Sequence, residues 1–304
     1  MSGNSAWLVI LLGIASTTQT HLAKALERQG IEALDLIRER LAGSGTGGEG
    51  RSRKPLIYGL GLALNYTVFI YHLFVAPLGG TTALYTSMYG LGLVFLLPYT
   101  TWVMKERISR LELGGAVAIL LGTLIIGVEG ISRPALDMGQ MDLRGTVVMV
   151  AVLLGLCLFL ILLGLRNGRP NAIGLAFGLG AGTCGALDPF LKGVGQTAGG
   201  GGPFTPGSAG GWAVLASSFV IGWLAWLVTQ WGFYRRARAN VLVPALNCSY
   251  IGVPVLLQAL LLPGYSLSWM TWLGLGLIMA GFACLRGFGR WREEVVTARP
   301  GAAA

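Results

Sequence analysis

Charge is what this sequence has least of. Only 12% of its 304 residues are Asp, Glu, Lys or Arg, about half the fraction usual in a soluble domain. Histidine occurs twice, at His21 and His72. The four cysteines, Cys157, Cys184, Cys248 and Cys284, all fall inside apolar runs. They lack metal-ligand spacing and have no partner in a loop, so small core residues are the expected reading and a disulfide scaffold is not. No zinc signature and no nucleophile–base spacing appears. The glycine-rich stretch from Gly174 to Gly182 lies within an apolar run, where a nucleotide loop is out of place. An enzyme is therefore not expected, and no cofactor is implied. The net charge of +9 is placed in short connections between apolar runs, which speaks against a nucleic-acid partner and for a lipid bilayer.

Apolar residues and glycine are what is abundant: 54% hydrophobic, with 48 glycines. Several uncharged runs approach or exceed the ~18 residues of a spanning helix. The fold class expected is all-α, a polytopic membrane helix bundle of about nine transmembrane helices. The runs cover residues 6–25, 56–76, 80–103, 111–129, 143–165, 172–193, 212–233, 241–262 and 268–287. Trp7, Trp102, Trp212, Tyr265 and Trp269 sit at run edges, as interfacial aromatics do. The first run lacks the basic lead of a signal peptide and reads as a retained helix. In the basic connection 26–55, residues 31–41 have helical periodicity suited to a membrane surface. The glycine-rich 196–211 reads as a flexible loop.

Basic residues orient the bundle. With the N-terminus outside, 19 of the 22 Lys and Arg fall on the cytoplasmic side, leaving Arg133, Arg144 and Lys192 outside. The positive-inside rule then places the C-terminus in the cytoplasm, in a plasma or inner membrane.

A weak internal repeat runs through the chain. Ala83-Leu-Tyr-Thr-Ser-Met-Tyr-Gly90 resembles Ala245-Leu-Asn-Cys-Ser-Tyr-Ile-Gly252, and each is followed by a run with an early Leu-Gly pair, Leu113-Gly114 and Leu273-Gly274. Lys24 ends the first run much as Lys192 ends the sixth. The implied division is a first repeat at 1–130, a connecting span at 131–168, a second repeat at 169–290 and a tail at 291–304. One connecting helix makes the second four-helix unit enter from the opposite side, the inverted repeat of many secondary transporters.

Candidate site residues follow from polarity in the wrong place. Asp188 is the one carboxylate read as lying well inside a run, and an intramembrane charge costs about 2.5–3.5 kcal/mol on insertion scales. Lys192 shares its helix face four residues on. Two readings stay open, a cation- or proton-binding site and an internal ion pair. Pro189 is expected to break or kink this helix. Thr17 and His21 share a face of the first run; Asn65 and His72 share one of the second. Tyr85 and Tyr89 in the third run and Asn247 and Tyr250 in the eighth would line a polar cavity between repeats, or pack as satisfied core groups. Any metal site would have to use Asp188. The glycines at 114, 115, 122, 274, 276 and 281 suit close helix packing.

At Lys105-Glu-Arg-Ile-Ser-Arg-Leu-Glu-Leu-Gly-Gly-Ala-Val-Ala-Ile-Leu-Leu-Gly122 the sequence resembles the drug/metabolite transporter superfamily, of the EamA-like kind. Pro77-Leu-Gly-Gly-Thr-Thr-Ala-Leu84 and Lys192 look more like its NIPA-like branch, annotated for magnesium transport. The superfamily usually has ten helices, against about nine here. The resemblance implies a secondary transporter of a small solute, ion- or proton-coupled, working by alternating access. A divalent-cation transporter and a non-transporting membrane subunit or scaffold are the alternatives. A homodimer is left open.

Overall fold

The computed structural model describes residues 4–30, 53–92, 102, 110–132, 138–202, 204–235, 237 and 239–297. Among them the chain is helical throughout, with no strand beyond one isolated bridge between Gly202 and Thr205. The helices are α1 (Asn4–Gly30), α2 (Lys54–Thr67), α3 (Phe69–Val75), α4 (Thr82–Ser87), α5 (Arg110–Ser132), α6 (Leu143–Asn167), α7 (Pro170–Thr197), α8 (Ala209–Tyr234), α9 (Ala239–Leu261) and α10 (Trp269–Thr297). Six stretches are long and apolar enough to cross a membrane: Lys54–Val75, Leu113–Ile131, Leu143–Asn167, Pro170–Thr197, Ala209–Tyr234 and Val241–Leu261. They match six of the expected runs. The expected runs at 6–25 and 268–287 are also helical, but the apolar part of the second, Trp269–Cys284, is shorter. Residues 93–101 and 103 of the run at 80–103, and the surface helix expected at 31–41, lie outside the described residues.

Side chains are distributed inside out. Val147, Val148, Val152, Leu158 and Phe159 of α6 face outward, while Thr146, Asp188, Lys192, Gln196, Ser218 and Gln258 are buried. An apolar exterior around a core in which these polar groups sit among many more apolar ones suits a chain whose solvent is lipid. With the six long apolar helices, this is the signature of an integral membrane protein.

Local chemistry explains the helix ends. Asp142 caps α6 by accepting from the N–H groups of Arg144 (3.2 Å) and Gly145 (2.8 Å). Gly168 ends it at a φ of 71° that only glycine adopts without strain. Pro170 then opens α7, where its missing N–H costs nothing. Pro189 does not break α7, which runs through it as one helix. The expected interruption is absent there because α6, α8 and α9 pack around the helix and hold it.

Close glycine contacts fix helix direction. Gly178 and Gly182 of α7 meet the carbonyls of Leu242 and Leu246 on α9, in that order, so these two helices are parallel. This is small-xxx-small packing, in which missing side chains let backbones approach. Helix α8 returns antiparallel to α7, Gly232 lying on Phe177 and Gly195 on Leu215. In the first half α1 and α2 are likewise antiparallel, with Gly61 on the Ala23 carbonyl and Gln19 donating to the Leu64 carbonyl at 2.8 Å. Helix α1 runs parallel to α4, Gly13 lying on Tyr85 and Met88 and Gly92 on Thr17 and His21. Helices α5 and α10 cross antiparallel: a Cβ at Gly122 would lie 2.5 Å from the Gly274 carbonyl, and one at Gly281 2.5 Å from that of Gly115.

Candidate functional site

Helix α7 is the most buried of the long apolar helices, and its polar residues repeat every fourth position. Asp188, Lys192 and Gln196 therefore form one stripe, aimed at α3. Gln196 donates to the Leu73 carbonyl at 3.0 Å. Asp188 accepts from Lys192 Nζ through one oxygen and pairs with His72 Nδ1 at 2.6 Å through the other. Lys192 is wholly buried, and Asp188 and His72 are 6% and 7% exposed. The ammonium also sits 4.2 Å from the centre of the Phe219 ring on α8, a cation–π contact. Gly222 on the same helix leaves room for the carboxylate, since a Cβ there would lie 2.9 Å from Asp188 Cγ.

An ionised carboxylate can only accept hydrogen bonds, and a dry interior tolerates it only when paired and hydrogen-bonded. Asp188 meets that condition with both oxygens. Its partner His72 presents Nδ1 to the carboxylate, while Nε2 is buried and makes no hydrogen bond. The imidazole stands edge-on to Tyr85, ring centres 5.4 Å apart.

Tyr85 links this group to a second one. Its hydroxyl bonds that of Ser16 on α1. Beside it, the Thr17 hydroxyl donates to the Tyr89 carbonyl (2.9 Å), and His21 Nδ1 donates to the Thr17 carbonyl (2.8 Å). The rings of His21 and Tyr89 are 4.8 Å apart, and those of Tyr89 and Tyr250 4.5 Å. Gly13, Ser16, Thr17, Tyr85, Tyr89 and Tyr250 close on one another here, leaving essentially no room for a water molecule between them. Residues 88–91 at this point are a 3₁₀ turn, a tightening that often marks a hinge or strain within a helix.

Eight of the ten residues singled out by sequence thus form two touching groups: Asp188, Lys192 and His72, then Tyr85, Thr17, His21, Tyr89 and Tyr250. Two stand apart. Asn247 is buried with no bond to its Oδ1. Asn65 is half-buried on α2 and belongs with His72 to the one span Lys54–Val75, in which Val68, a single turn residue with helical φ and ψ, separates α2 from α3. Asp188 holds no cluster of metal donors about it; among the described residues no group of three His, Cys, Asp or Glu exists.

Sequence reasoning missed a second buried carboxylate. Glu129 was taken as the edge of a run, yet it is 6% exposed inside the span Leu113–Ile131. It accepts from Ser268 and from Thr271 Oγ1 (2.7 Å). Ser268 in turn accepts from the N–H groups of Met270 and Thr271, capping α10. Gln258 of α9 was missed too. With its amide oxygen toward α4 it accepts from the N–H groups of Thr82 (2.9 Å) and Ala83 (3.1 Å). The Ser-x-x-Thr start of α10 and the four-residue step from Lys192 to Gln196 were the available signals.

No family model, no curated protein and no solved structure matches this chain.

Proposed function

We propose that the protein is a secondary transporter of a small solute, built as an inverted repeat and working by alternating access around Asp188. The observation that carries this reading is a buried ionisable group, Asp188–His72–Lys192, joining a helix of the first half to a helix of the second. Intramembrane charges of this kind mark substrate and ion pathways.

The pattern of helix contacts supports the repeat. In the first half α1 is antiparallel to α2 and parallel to α4; in the second α7 is antiparallel to α8 and parallel to α9. Helix α5, last of the first unit, lies antiparallel to α10, last of the second, as inverted counterparts must. Their contacts are themselves reciprocal, Gly115 and Gly122 answering Gly281 and Gly274. Helix α6 is then the connector, giving about nine spans once α1, the run begun by α4, and α10 are included. The basic residues favour an external N-terminus and a cytoplasmic C-terminus.

Fold logic of this kind agrees with the drug/metabolite transporter resemblance and says nothing of the solute. Magnesium transport is the weaker reading. Mg²⁺ keeps its waters and takes one or two carboxylates, and Asp188 has both oxygens engaged by cationic or potentially cationic groups. The same engagement favours one alternative of a different class, a membrane scaffold in which the group is structural.

Counterflow of a panel of labelled solutes in proteoliposomes separates these. Because removing Asp188 alone strands Lys192, the informative variant is Asp188→Asn/Lys192→Met. The transporter reading expects exchange of at least one solute by the wild type and none by a folded double variant. Absence of exchange from the wild type across organic solutes and Mg²⁺ sinks it in favour of the scaffold.

A further inference from the structure

We propose that His72, rather than Asp188, is the group that takes up the coupling proton, and that it does so at Nε2. The location of the proton rests on the geometry alone; its use in coupling rests on the transporter reading above.

Asp188 is poorly placed to accept a proton. One oxygen is held by Lys192 and the other by His72. Neutralising the carboxylate would leave a wholly buried ammonium without its counter-ion, a severe penalty in a dry interior. Lys192 is constrained the same way, because giving up its proton would leave the carboxylate charge with a hydrogen bond alone. His72 is different. An ionised Asp188 can only accept, so it selects the tautomer with hydrogen on Nδ1. That leaves a lone pair on Nε2, which is buried and bonded to nothing. It is the atom of the three side chains that can gain a proton without first breaking a bond the structure holds.

Among the described residues, groups facing His72 do not offer a rival acceptor at this position. From α7 come Asp188 and Lys192, and from α4 the ring of Tyr85. On its own helix Tyr71 donates its hydroxyl to Gln19 of α1. At this level α1 presents Ser16 and Gln19, its His21 being turned to Tyr89. Helix α8 supplies Phe219 and Gly222, and Tyr250 of α9 lies beyond, over Gly185.

The proton has a mechanical consequence. It turns a hydrogen bond between a neutral ring and a carboxylate into an imidazolium–carboxylate ion pair, adding Coulombic attraction to the bond. That bond ties α3 of the first unit to α7 of the second, next to the Gln196–Leu73 bond. Protonation at Nε2 therefore holds this end of the bundle shut, and loss of the proton releases it.

The chain's two histidines make a direct test practicable. The full protein, with nitrogen-labelled histidine, is placed in liposomes and its ring nitrogens are followed by solid-state NMR from about pH 8 to about pH 5; a His21→Gln sample assigns the signals. The expected result is a His72 with hydrogen on Nδ1 and a bare Nε2 at the upper pH, the bare-nitrogen signal being lost as imidazolium forms. In Asp188→Asn/Lys192→Met the Nδ1 preference should disappear. Hydrogen on Nε2 at the upper pH overturns the proposal, as does a single neutral form throughout. Protonation of the Asp188 carboxylate with His72 unchanged returns the role to Asp188. A His72 that titrates in a protein moving no solute keeps the proton site and removes the transporter reading. Solute exchange with a silent His72 does the reverse.

Discussion

Two buried carboxylates hold helices together in this protein, by different chemistry. Glu129 joins α5 to α10 through the hydroxyls of Ser268 and Thr271, at the capped start of α10. Those donors do not titrate, and a helix N-terminus favours negative charge. Asp188 joins α7 to α3 in mid-helix, through an ammonium and an imidazole. Of its partners the imidazole can change charge, and on the proposal above the bond between the two halves of the chain changes with it. Burial alone does not distinguish the two sites; the hydroxyl donors described at Glu129 cannot titrate, whereas the imidazole at Asp188 can. On the reading proposed above, Glu129 is a clamp and Asp188–His72 a switch.

The comparison is broken most severely by Asp188→Ala. Truncation strands Lys192 in a wholly buried position and should lower stability by about 3–5 kcal/mol. Equilibrium unfolding in mixed micelles measures it. Adding Lys192→Met should recover most of the loss, because a well-packed apolar pair often matches a buried ion pair. Failure to recover would mean that the carboxylate stabilises through something other than this pair.

Gly222→Ala comes next. The new Cβ would stand 2.9 Å from Asp188 Cγ, so the carboxylate must shift, at about 1–3 kcal/mol for overpacking. The His72 tautomer should become mixed in the same sample. An unchanged ring-nitrogen spectrum would show that Asp188 does not set it.

For Glu129→Gln the effect is smaller. The amide oxygen can still accept one of the two hydroxyls described, so the loss is about 1 kcal/mol, and a pH dependence of solute exchange set by His72 should persist. A shifted pH profile would erase the contrast between clamp and switch. Smallest of all is Gly155→Ala on α6, where a Cβ meets nothing within 4 Å. Helix propensity predicts a gain of about 0.5–1 kcal/mol, which calibrates the other three.

How much of this was legible follows from which interactions are local. Six long apolar helices were readable because membrane thickness sets their length. The Asp188–Lys192 pair was readable because four residues make one helical step. The His72–Asp188 bond was not: it spans 116 residues, and a helix face predicts that a residue is buried without saying which helix it meets. Asn65 and His72 share the span Lys54–Val75, yet a helix face does not say that of the two only His72 meets Asp188. Pro189 was expected to interrupt α7, and tertiary packing overrides the local preference. Glu129 was hidden by a boundary placed a few residues early, where a buried group looks like a solvated one.

Alternating access requires the end of the bundle tied by Asp188–His72 and Gln196–Leu73 to open, and this is the central claim. It is tested most directly by cross-linking a Leu73→Cys/Gln196→Cys variant with a short bifunctional thiol reagent, after replacing the four native cysteines. Counterflow is then compared before linking, after linking and after cleavage of the link. The account predicts that exchange stops when α3 and α7 are joined and returns when the link is cut. Exchange that continues at full cross-linking would contradict it.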